Sequence, residues 1–219
     1  MRHRTVEQLM TPADLVVSAR PDTPYKVVAG LLCAYAISGV PVLGPTGCVI
    51  GVVTEADLLA KEIRASGPMI GRTAMKRGAG TEPDKAKALT AMDLMTSPAI
   101  TAAPRELAAS AAARMQLRGI RRLPVVDEDG HLLGIVSRRD LLRPYLRRDA
   151  EIRAEALVLI ADEFGVVPAG WSVAVQSGVL TLNGELPTHG DVLAVYAAVG
   201  RIDGVVSVEG RPTYTVKEL

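Results

Sequence analysis

Two short stretches of the chain place a hydroxyl residue and a carboxylate three residues apart, directly after an apolar run. Thr54 precedes Asp57 in one stretch, and Ser137 precedes Asp140 in the other. A carboxylate can accept hydrogen bonds from ribose hydroxyls, and the free amides at a helix N-terminus suit a phosphate. The same spacing also forms a capping box, which begins many helices without any ligand. The two residue pairs are therefore candidates for a nucleotide site or for helix caps.

Both stretches belong to an internal repeat with a constant offset of 83 residues. Residues 38–59 read SGVPVLGPTGCVIGVVTEADLL, and residues 121–142 read RRLPVVDEDGHLLGIVSRRDLL. Further upstream, LMTP at residues 9–12 corresponds to LMTSP at residues 94–98. Such self-similarity indicates two copies of one supersecondary unit in the first two thirds of the chain.

Each copy is predicted to contain a short strand, a helix, a β-hairpin and a closing helix. In copy 1 we predict a strand over Leu15–Val17, a helix from Thr23-Pro24 to about Ile37, and strands over Val40–Leu43 and Cys48–Val53. In copy 2 we predict a helix from Pro104 to Gly119 and strands over Leu123–Val126 and Leu132–Val136. Thr54 and Ser137 are expected to cap the closing helices.

The paired pattern M-T-x-P, h-P-V-h, a turn glycine and G-h-V-[ST]-x-x-D-L-L resembles a tandem of CBS (cystathionine beta-synthase) domains. The resemblance implies an α/β fold in which two βαββα repeats pack about a pseudo-two-fold axis as a Bateman module. It places repeat 1 at residues 5–64 and repeat 2 at residues 91–146. Residues 65–90 between them are rich in Gly, Lys, Ala and Pro, so we predict a flexible linker there. In this family the two clefts often hold ATP, ADP, AMP or S-adenosylmethionine, and two modules commonly form a homodimer.

The resemblance also implies roles for individual residues in two nucleotide-binding clefts. Asp57 and Asp140 would accept the ribose hydroxyls, and Thr54 and Ser137 would face the phosphate. The adenine would lie between an early strand and the segment that leads to the shared proline. These flanking residues are Leu15, Val16, Ser38, Gly39, Val40 and Pro41 in repeat 1, and Ala99, Ile100, Arg121, Arg122, Leu123 and Pro124 in repeat 2.

The two expected clefts differ in charge. The second has an arginine pair before its proline and Arg138 and Arg139 beside its serine, whereas the first has Glu55 at the equivalent position. Guanidinium groups make bidentate contacts with phosphate, so we predict that a di- or triphosphate prefers the second cleft. The first is expected to be neutral or acidic. The alternative for the arginines is a solvated helix face.

A different pattern follows residue 146. The predicted order is a helix over Arg147–Phe164, a hairpin of strands that begin at Trp171 and Val179, a helix capped by Thr188, and a last strand over Val205–Val208. With Gly178, Gly184 and Gly204, this αββαβ order resembles a BON domain over residues 150–215. Phospholipid binding is the role usually suggested for that family.

The charges divide at the same point. Residues 1–150 carry 21 basic and 15 acidic side chains, and residues 151–219 carry four basic and nine acidic side chains. An acidic domain is repelled by anionic lipid, so we expect a protein partner in preference to lipid. Nucleic acid is disfavoured as well, because the arginine-rich region lacks interleaved aromatic residues and a known reading motif.

Several other classes of protein are disfavoured by the 219-residue sequence. It has no Ser/His/Asp constellation, Walker loop or H-E-x-x-H motif, so we expect neither an enzyme nor a catalytic cofactor. Cys33 and Cys48 lack C-x-x-C spacing, which argues against a zinc site or a disulfide framework. The first residues show no secretion signal, so we expect a cytoplasmic protein. Two functions remain: a nucleotide-binding sensor, and a ligand-independent dimeric scaffold.

Overall fold

A computed structural model of the chain describes residues 4–65, 88–164 and 171–216. The chain divides into two compact units: residues 5–138, and residues 139–219 together with residues 1–4. Both units combine α-helices with small β-sheets. The central part of the predicted inter-repeat linker, residues 66–87, lies outside the described residues. Within the described ranges, no helix has the length and apolar character needed to cross a membrane.

Repeat 1 forms two helices and a β-hairpin after a short N-terminal strand. Its elements are β1 (Thr11–Pro12), a 3-10 helix (Ala13–Leu15), α1 (Tyr25–Ala34), β2 (Gly39–Leu43), β3 (Val49–Thr54) and α2 (Glu55–Ala65). The predicted strand over Leu15–Val17 is wrong, because the chain must turn between the pairing of Thr11 and the later pairing of Ala19 with Val42. Helix α1 also ends earlier than predicted, since Ala36 has a φ of 50°.

Repeat 2 reproduces this arrangement. Its elements are α3 (Ala91–Leu94), α4 (Ala108–Leu117), β4 (Arg122–Val126) and β5 (Leu132–Ser137), and α5 (Arg138–Leu142) follows directly. Helix α4 begins four residues after the predicted Pro104, because Leu107 first pairs with Thr5 in a β-bridge. Gly119, with a φ of 67°, ends the helical region as predicted.

Each repeat pairs a short segment with the β-hairpin of the other repeat. Strand β1 belongs to repeat 1 but pairs antiparallel with β5 of repeat 2, so Thr11 lies opposite Ile135. In the equivalent exchange, Thr96 of repeat 2 pairs with Val52 of β3. Near the turns of the two hairpins, Cys48 pairs with His131. These two residues occupy equivalent positions in the two repeats, since they are 83 residues apart in the sequence. Each repeat therefore completes the sheet of the other, in agreement with the expected pseudo-two-fold module.

This exchange of segments explains why each repeat has a glycine within the second strand of its hairpin. The two residues are Gly51 in β3 and Gly134 in β5. A Cβ atom on Gly51 would meet the side chain of Met95, and one on Gly134 would meet the Thr11 carbonyl oxygen and Met10. The methionine of each M-T-x-P segment thus packs against the glycine of the other repeat. Only a residue without a side chain lets the two segments approach this closely.

Residues 139–216 form a second α/β unit around a core of their own. After a 3-10 helix (Arg143–Leu146), the elements are α6 (Asp149–Phe164), β6 (Ser172–Gln176), β7 (Val179–Asn183), β8 (Glu185–Thr188), α7 (His189–Val199), β9 (Ser207–Glu209) and β10 (Thr213–Val216). One sheet has the order β6-β7-β9, and β8 pairs parallel with β10. The predicted αββαβ order is present, with β8 and β10 in addition.

The structure confirms the hairpin turn and the helix cap that were predicted for this unit. Ser177 and Gly178 both have positive φ, which is the conformation of a type I′ hairpin turn. Thr188 and Asp191 form a complete capping box at the start of α7. One face of α6 packs against the sheet and α7, with Ile152, Ala156 and Ile160 fully or almost fully buried.

Candidate functional site

A cleft of about 750 Å³ lies between the two repeats, within residues 5–138. Three segments line most of it: the end of β3 with the start of α2, the stretch from Thr96 to Ile100, and the loop from Arg118 to Arg122. The first segment belongs to repeat 1, and the other two belong to repeat 2. The segment exchange described above brings them together, because Thr96 pairs with Val52 beside the motif of the first repeat.

Asp57 is the buried carboxylate of this cleft, with 8% of its surface exposed. Its Oδ2 accepts a hydrogen bond from the Thr54 backbone N–H at 2.8 Å and another from the Thr54 hydroxyl at 2.7 Å. Its Oδ1 lies 3.5 Å from the Thr96 hydroxyl of the other repeat. Asp57 therefore caps helix α2 and also points a carboxylate at the cleft, so the two predicted roles are compatible.

The apolar part of the lining comes from repeat 2. Ala99 and Ile100 lie on one side of the cleft, and Gly119 and Ile120 contribute the loop after α4. Ile100 is partly exposed, so an apolar surface faces the solvent in the cleft. A flat aromatic ligand would bury this surface.

Arg122 joins the repeats at the edge of the cleft. Its Nη1 donates to the Gly39 carbonyl oxygen at 2.7 Å, and its Nη2 donates to the Ser38 hydroxyl at 2.9 Å. Gly39 is the residue that the repeat offset aligns with Arg122. A single guanidinium therefore links equivalent positions of the two β-hairpins.

Two further arginines line the cleft. The Nη1 of Arg121 lies 3.7 Å from a carboxylate oxygen of Glu55, and both side chains are well exposed. Arg118 lies at the C-terminal end of α4 and also lines the cleft. Among the described residues, its guanidinium has no ion-pair or side-chain hydrogen-bond partner.

The structure corrects the predicted grouping of site residues. We expected Thr54 and Asp57 to share a cleft with Leu15 and Val16, but the early segment beside them is Ala99–Ile100 of repeat 2. The cleft also contains the arginine pair that we had assigned to Ser137 and Asp140. The physical reason is the exchange of segments, which places the loop of one repeat against the motif of the other. The expectation of a neutral or acidic first cleft fails for the same reason.

Other predicted residues lie in the strands. Ser38 lines the cleft, and Gly39 reaches it through the hydrogen bond from Arg122. The remaining residues of the two h-P-V-h segments are buried in β2 and β4 and do not line the cleft: Val40, Pro41, Leu123 and Pro124.

The second copy of the motif uses its arginine differently. Ser137 ends β5, and Arg138 and Asp140 lie in α5. The Arg138 guanidinium donates to the carbonyl oxygens of Met115 and Ile120, each at 3.1 Å. Met115 lies in the last turn of α4 and Ile120 lies just past its C-terminal end, where a cation is favourable. Arg138 therefore stabilises a helix end.

Sequence reasoning missed two polar residues of the cleft, Thr96 and Arg118, whereas it placed Glu55 beside the first motif. Thr96 had a usable signal, because the M-T pair occurs in both copies. Arg118 had no such signal in the sequence. It reaches the cleft only because the loop from Arg118 to Arg122 folds against the motif of repeat 1.

The β4–β5 turn contains a set of potential metal ligands. Ligand atoms of Asp127, Asp129 and His131 lie within 4.8 Å of one another. Asp127 accepts backbone hydrogen bonds from Asp129 and His131, and its other oxygen lies 3.2 Å from the His131 ring. The hydrogen bond from the His131 N–H contributes most to lowering the pKa of Asp127. These contacts describe a turn stabilised by its own carboxylate.

A family model described as "CBS domain" matches residues 6–63 and 91–147, which is more than half of the chain. The chain belongs to the CBS domain family. The two matched segments coincide with the two repeats that the structure folds against each other. The CBS pair is thus the part of the chain that carries the cleft.

Three curated relatives match 60%, 65% and 48% of this chain. An uncharacterised protein of Methanopyrus kandleri is 31% identical over 133 residues, and the homoserine O-acetyltransferase of Methanococcoides burtonii is 30% identical over 146 residues. The chain covers 59% of the first protein and 24% of the second. An uncharacterised protein of Methanocaldococcus jannaschii is 35% identical, and here 48% of the chain covers 71% of the relative.

One solved structure is similar in both sequence and fold. The CBS-pair protein CBSX2 of Arabidopsis thaliana, solved in complex with AMP, has 29% identity and a TM-score of 0.52. That match covers 64% of this chain and 93% of CBSX2. Another CBS domain pair, solved with 5′-methylthioadenosine and S-adenosylmethionine, shares the fold at 21% identity and a TM-score of 0.51.

Proposed function

We propose that the CBS pair is a regulatory module that binds an adenine nucleotide in the cleft between its repeats. The observation that carries the proposal is Asp57, a buried carboxylate that opens onto a cleft of about 750 Å³. A ligand of nucleotide size fits this volume. The candidates are ATP, ADP, AMP and S-adenosylmethionine, and the similarity to an AMP-bound CBS pair supports this class of ligand.

In this proposal each part of the nucleotide meets a different segment. The ribose hydroxyls donate to the Asp57 carboxylate, and the adenine lies between Ala99–Ile100 and the loop that contains Ile120. The phosphate lies near Thr54 and the arginines of repeat 2. None of these residues acts as a nucleophile or a general base, so we propose binding without catalysis and without a catalytic cofactor.

The proposal extends to the other motif. Ser137 and Asp140 reproduce the spacing of Thr54 and Asp57, so we retain them as a second candidate pair for ribose and phosphate. Because β1 pairs with β5, we now propose Leu15 and Val16 as the base-binding segment of that pair instead of the Thr54 and Asp57 pair. The prediction that polyphosphates prefer this second motif loses its main support, because Arg121 and Arg122 line the other cleft and Arg138 stabilises a helix end.

We further propose that ligand occupancy is transmitted to a homodimer interface or to the C-terminal domain. Exposed apolar side chains on helices of both repeats support a dimer; Leu117 on α4 is 85% exposed. The αββαβ order within residues 149–209 supports the proposed BON domain. The nine acidic and four basic residues of the stretch 151–219 support a protein partner in preference to anionic lipid. Light scattering tests the dimer, and flotation with phosphatidylserine vesicles tests the lipid alternative.

A titration of the full chain tests the nucleotide proposal. Thermal-shift and calorimetric titrations with ATP, ADP, AMP and S-adenosylmethionine should give a saturable response to at least one ligand. A ligand that binds only the folded protein raises its melting temperature, by an amount that grows with concentration. No response to any of the four would favour the second candidate function, a ligand-independent dimeric scaffold.

A matched pair of variants separates binding from helix capping. Asp57→Asn removes the charge that would hold the ribose, and we expect it to abolish the response. Asp93→Asn changes an equivalent capping aspartate, since Thr90 and Asp93 form a capping box at the start of α3 outside the cleft. Both variants should lose about 1 kcal/mol of stability. Equal ligand responses in the two variants would assign Asp57 to capping alone.

A further inference from the structure

The charge of the cleft between the repeats discriminates among adenine-containing ligands. Its described lining carries three arginines, Arg118, Arg121 and Arg122, and two carboxylates, Glu55 and Asp57. The formal sum is +1, and the cleft therefore favours an anionic ligand over a cationic one. The contacts of the individual side chains show which arginine provides this preference.

Two of the three arginines already have partners. The Arg122 guanidinium donates to the Gly39 carbonyl oxygen and the Ser38 hydroxyl, which fixes it between the hairpins. The Arg121 guanidinium faces the Glu55 carboxylate at 3.7 Å, so these two opposite charges largely offset each other. Moving either group onto a phosphate would break an existing contact.

Arg118 differs from both. It lines the cleft from the end of α4, is exposed, and has no side-chain partner among the described residues. A guanidinium presents up to five N–H donors in a planar fork that fits a phosphate. A ligand phosphate can therefore engage Arg118 without displacing a contact within the protein.

We infer that Arg118 is the residue by which this cleft selects a phosphorylated adenine nucleoside over S-adenosylmethionine. The inference rests on the proposed function, because it concerns the same cleft. Where a nucleotide carries its phosphate, S-adenosylmethionine carries a positive sulfonium and an amino-acid tail. The α-ammonium and α-carboxylate of that tail offset each other, so the ligand is a net cation, whereas a nucleotide is a net anion. The Arg118 charge attracts the phosphate and repels the sulfonium, so one side chain both favours one ligand and disfavours the other.

The test compares adenosine, AMP and S-adenosylmethionine by calorimetry on the full chain and on two variants. Arg118→Gln removes the charge but keeps a polar side chain of similar reach. Arg105→Gln is the matched control, because Arg105 is an exposed arginine of the same unit that does not line the cleft. The melting temperature of each variant reports whether it is folded.

For Arg118→Gln we expect the Kd of AMP to rise about tenfold or more, which is the effect of losing a charged hydrogen bond. The Kd of adenosine should stay within about twofold, and the preference for AMP over S-adenosylmethionine should fall. Arg105→Gln should bind all three ligands as the unaltered chain does.

The outcomes distinguish this inference from the proposal on which it rests. If the unaltered chain binds AMP and Arg118→Gln binds it equally well, the nucleotide site stands and the role of Arg118 is wrong. Equal weakening of adenosine and AMP would overturn that role as well, since it would show an effect independent of phosphate. If the unaltered chain binds none of the three ligands, both the site and the selection fail.

Discussion

The same motif has different surroundings in the two repeats. After Thr54, the chain places Glu55 beside a cleft, where its carboxylate faces Arg121 of the other repeat. After Ser137, the chain places Arg138 against two carbonyl oxygens at the end of α4. The charge of the residue that follows the motif, Glu55 or Arg138, therefore does not predict the net charge of the cleft. The cleft takes its positive charge from repeat 2, whereas its motif and its two carboxylates come from repeat 1.

The largest predicted effect concerns the two neighbouring arginines of repeat 2. Arg122→Met removes two hydrogen bonds from a charged group that links the hairpins, so we expect the free energy of unfolding to fall by about 2–3 kcal/mol. Arg121→Met removes only an exposed ion pair and should cost less than about 1 kcal/mol. Urea denaturation of the two variants measures both values. Equal losses would contradict the distinction between a linking and a cleft-facing arginine.

A smaller effect tests the exchange of segments. Gly134→Ala places a methyl group against the Thr11 carbonyl oxygen, which is part of the backbone and can move only with β1. Gly51→Ala meets mainly the side chain of Met95, which can change its rotamer. We expect a loss of about 2 kcal/mol for Gly134→Ala and about 1 kcal/mol for Gly51→Ala. Thermal unfolding of both variants measures these losses. An unchanged melting temperature in both would show that the segments around Met10 and Met95 do not pack closely against Gly134 and Gly51.

The smallest effect concerns Arg138. Arg138→Met removes its hydrogen bonds to Met115 and Ile120 and the favourable cation at the end of α4, so stability should fall by about 1 kcal/mol. The affinity of the cleft for its nucleotide should remain unchanged, because Arg138 is not part of the lining. Calorimetry of this variant checks the second expectation. A large loss of affinity would restore Arg138 as a phosphate ligand.

The sequence predicted the features that depend on neighbouring residues. The repeat, both hairpins and the cap at Thr188 and Asp191 all follow from local spacing and turn chemistry. The strand predicted over Leu15–Val17 failed because distant pairing, not local propensity, decides where this segment turns. Strand β8 was missed because it is only four residues long and contains Pro187.

The composition of the cleft could be predicted only in part. The repeat and the family resemblance identified Thr54, Asp57, Ala99, Ile100 and the arginine pair as candidates, and the structure brings these residues together. The resemblance did not tell us which loop faces which motif, because the pairing of Thr96 with Val52 and of Thr11 with Ile135 joins segments far apart in sequence. Arg118 precedes the repeated stretch 121–142 and belongs to none of the motifs that carry the family resemblance.

A crystal structure of the full chain grown with AMP tests the central claim most directly. We predict one nucleotide in the cleft between the repeats, with its ribose hydroxyls on Asp57, its adenine beside Ala99 and Ile100, and its phosphate near Arg118. An empty cleft in crystals grown at saturating AMP would contradict the claim. So would a nucleotide bound only elsewhere on the chain.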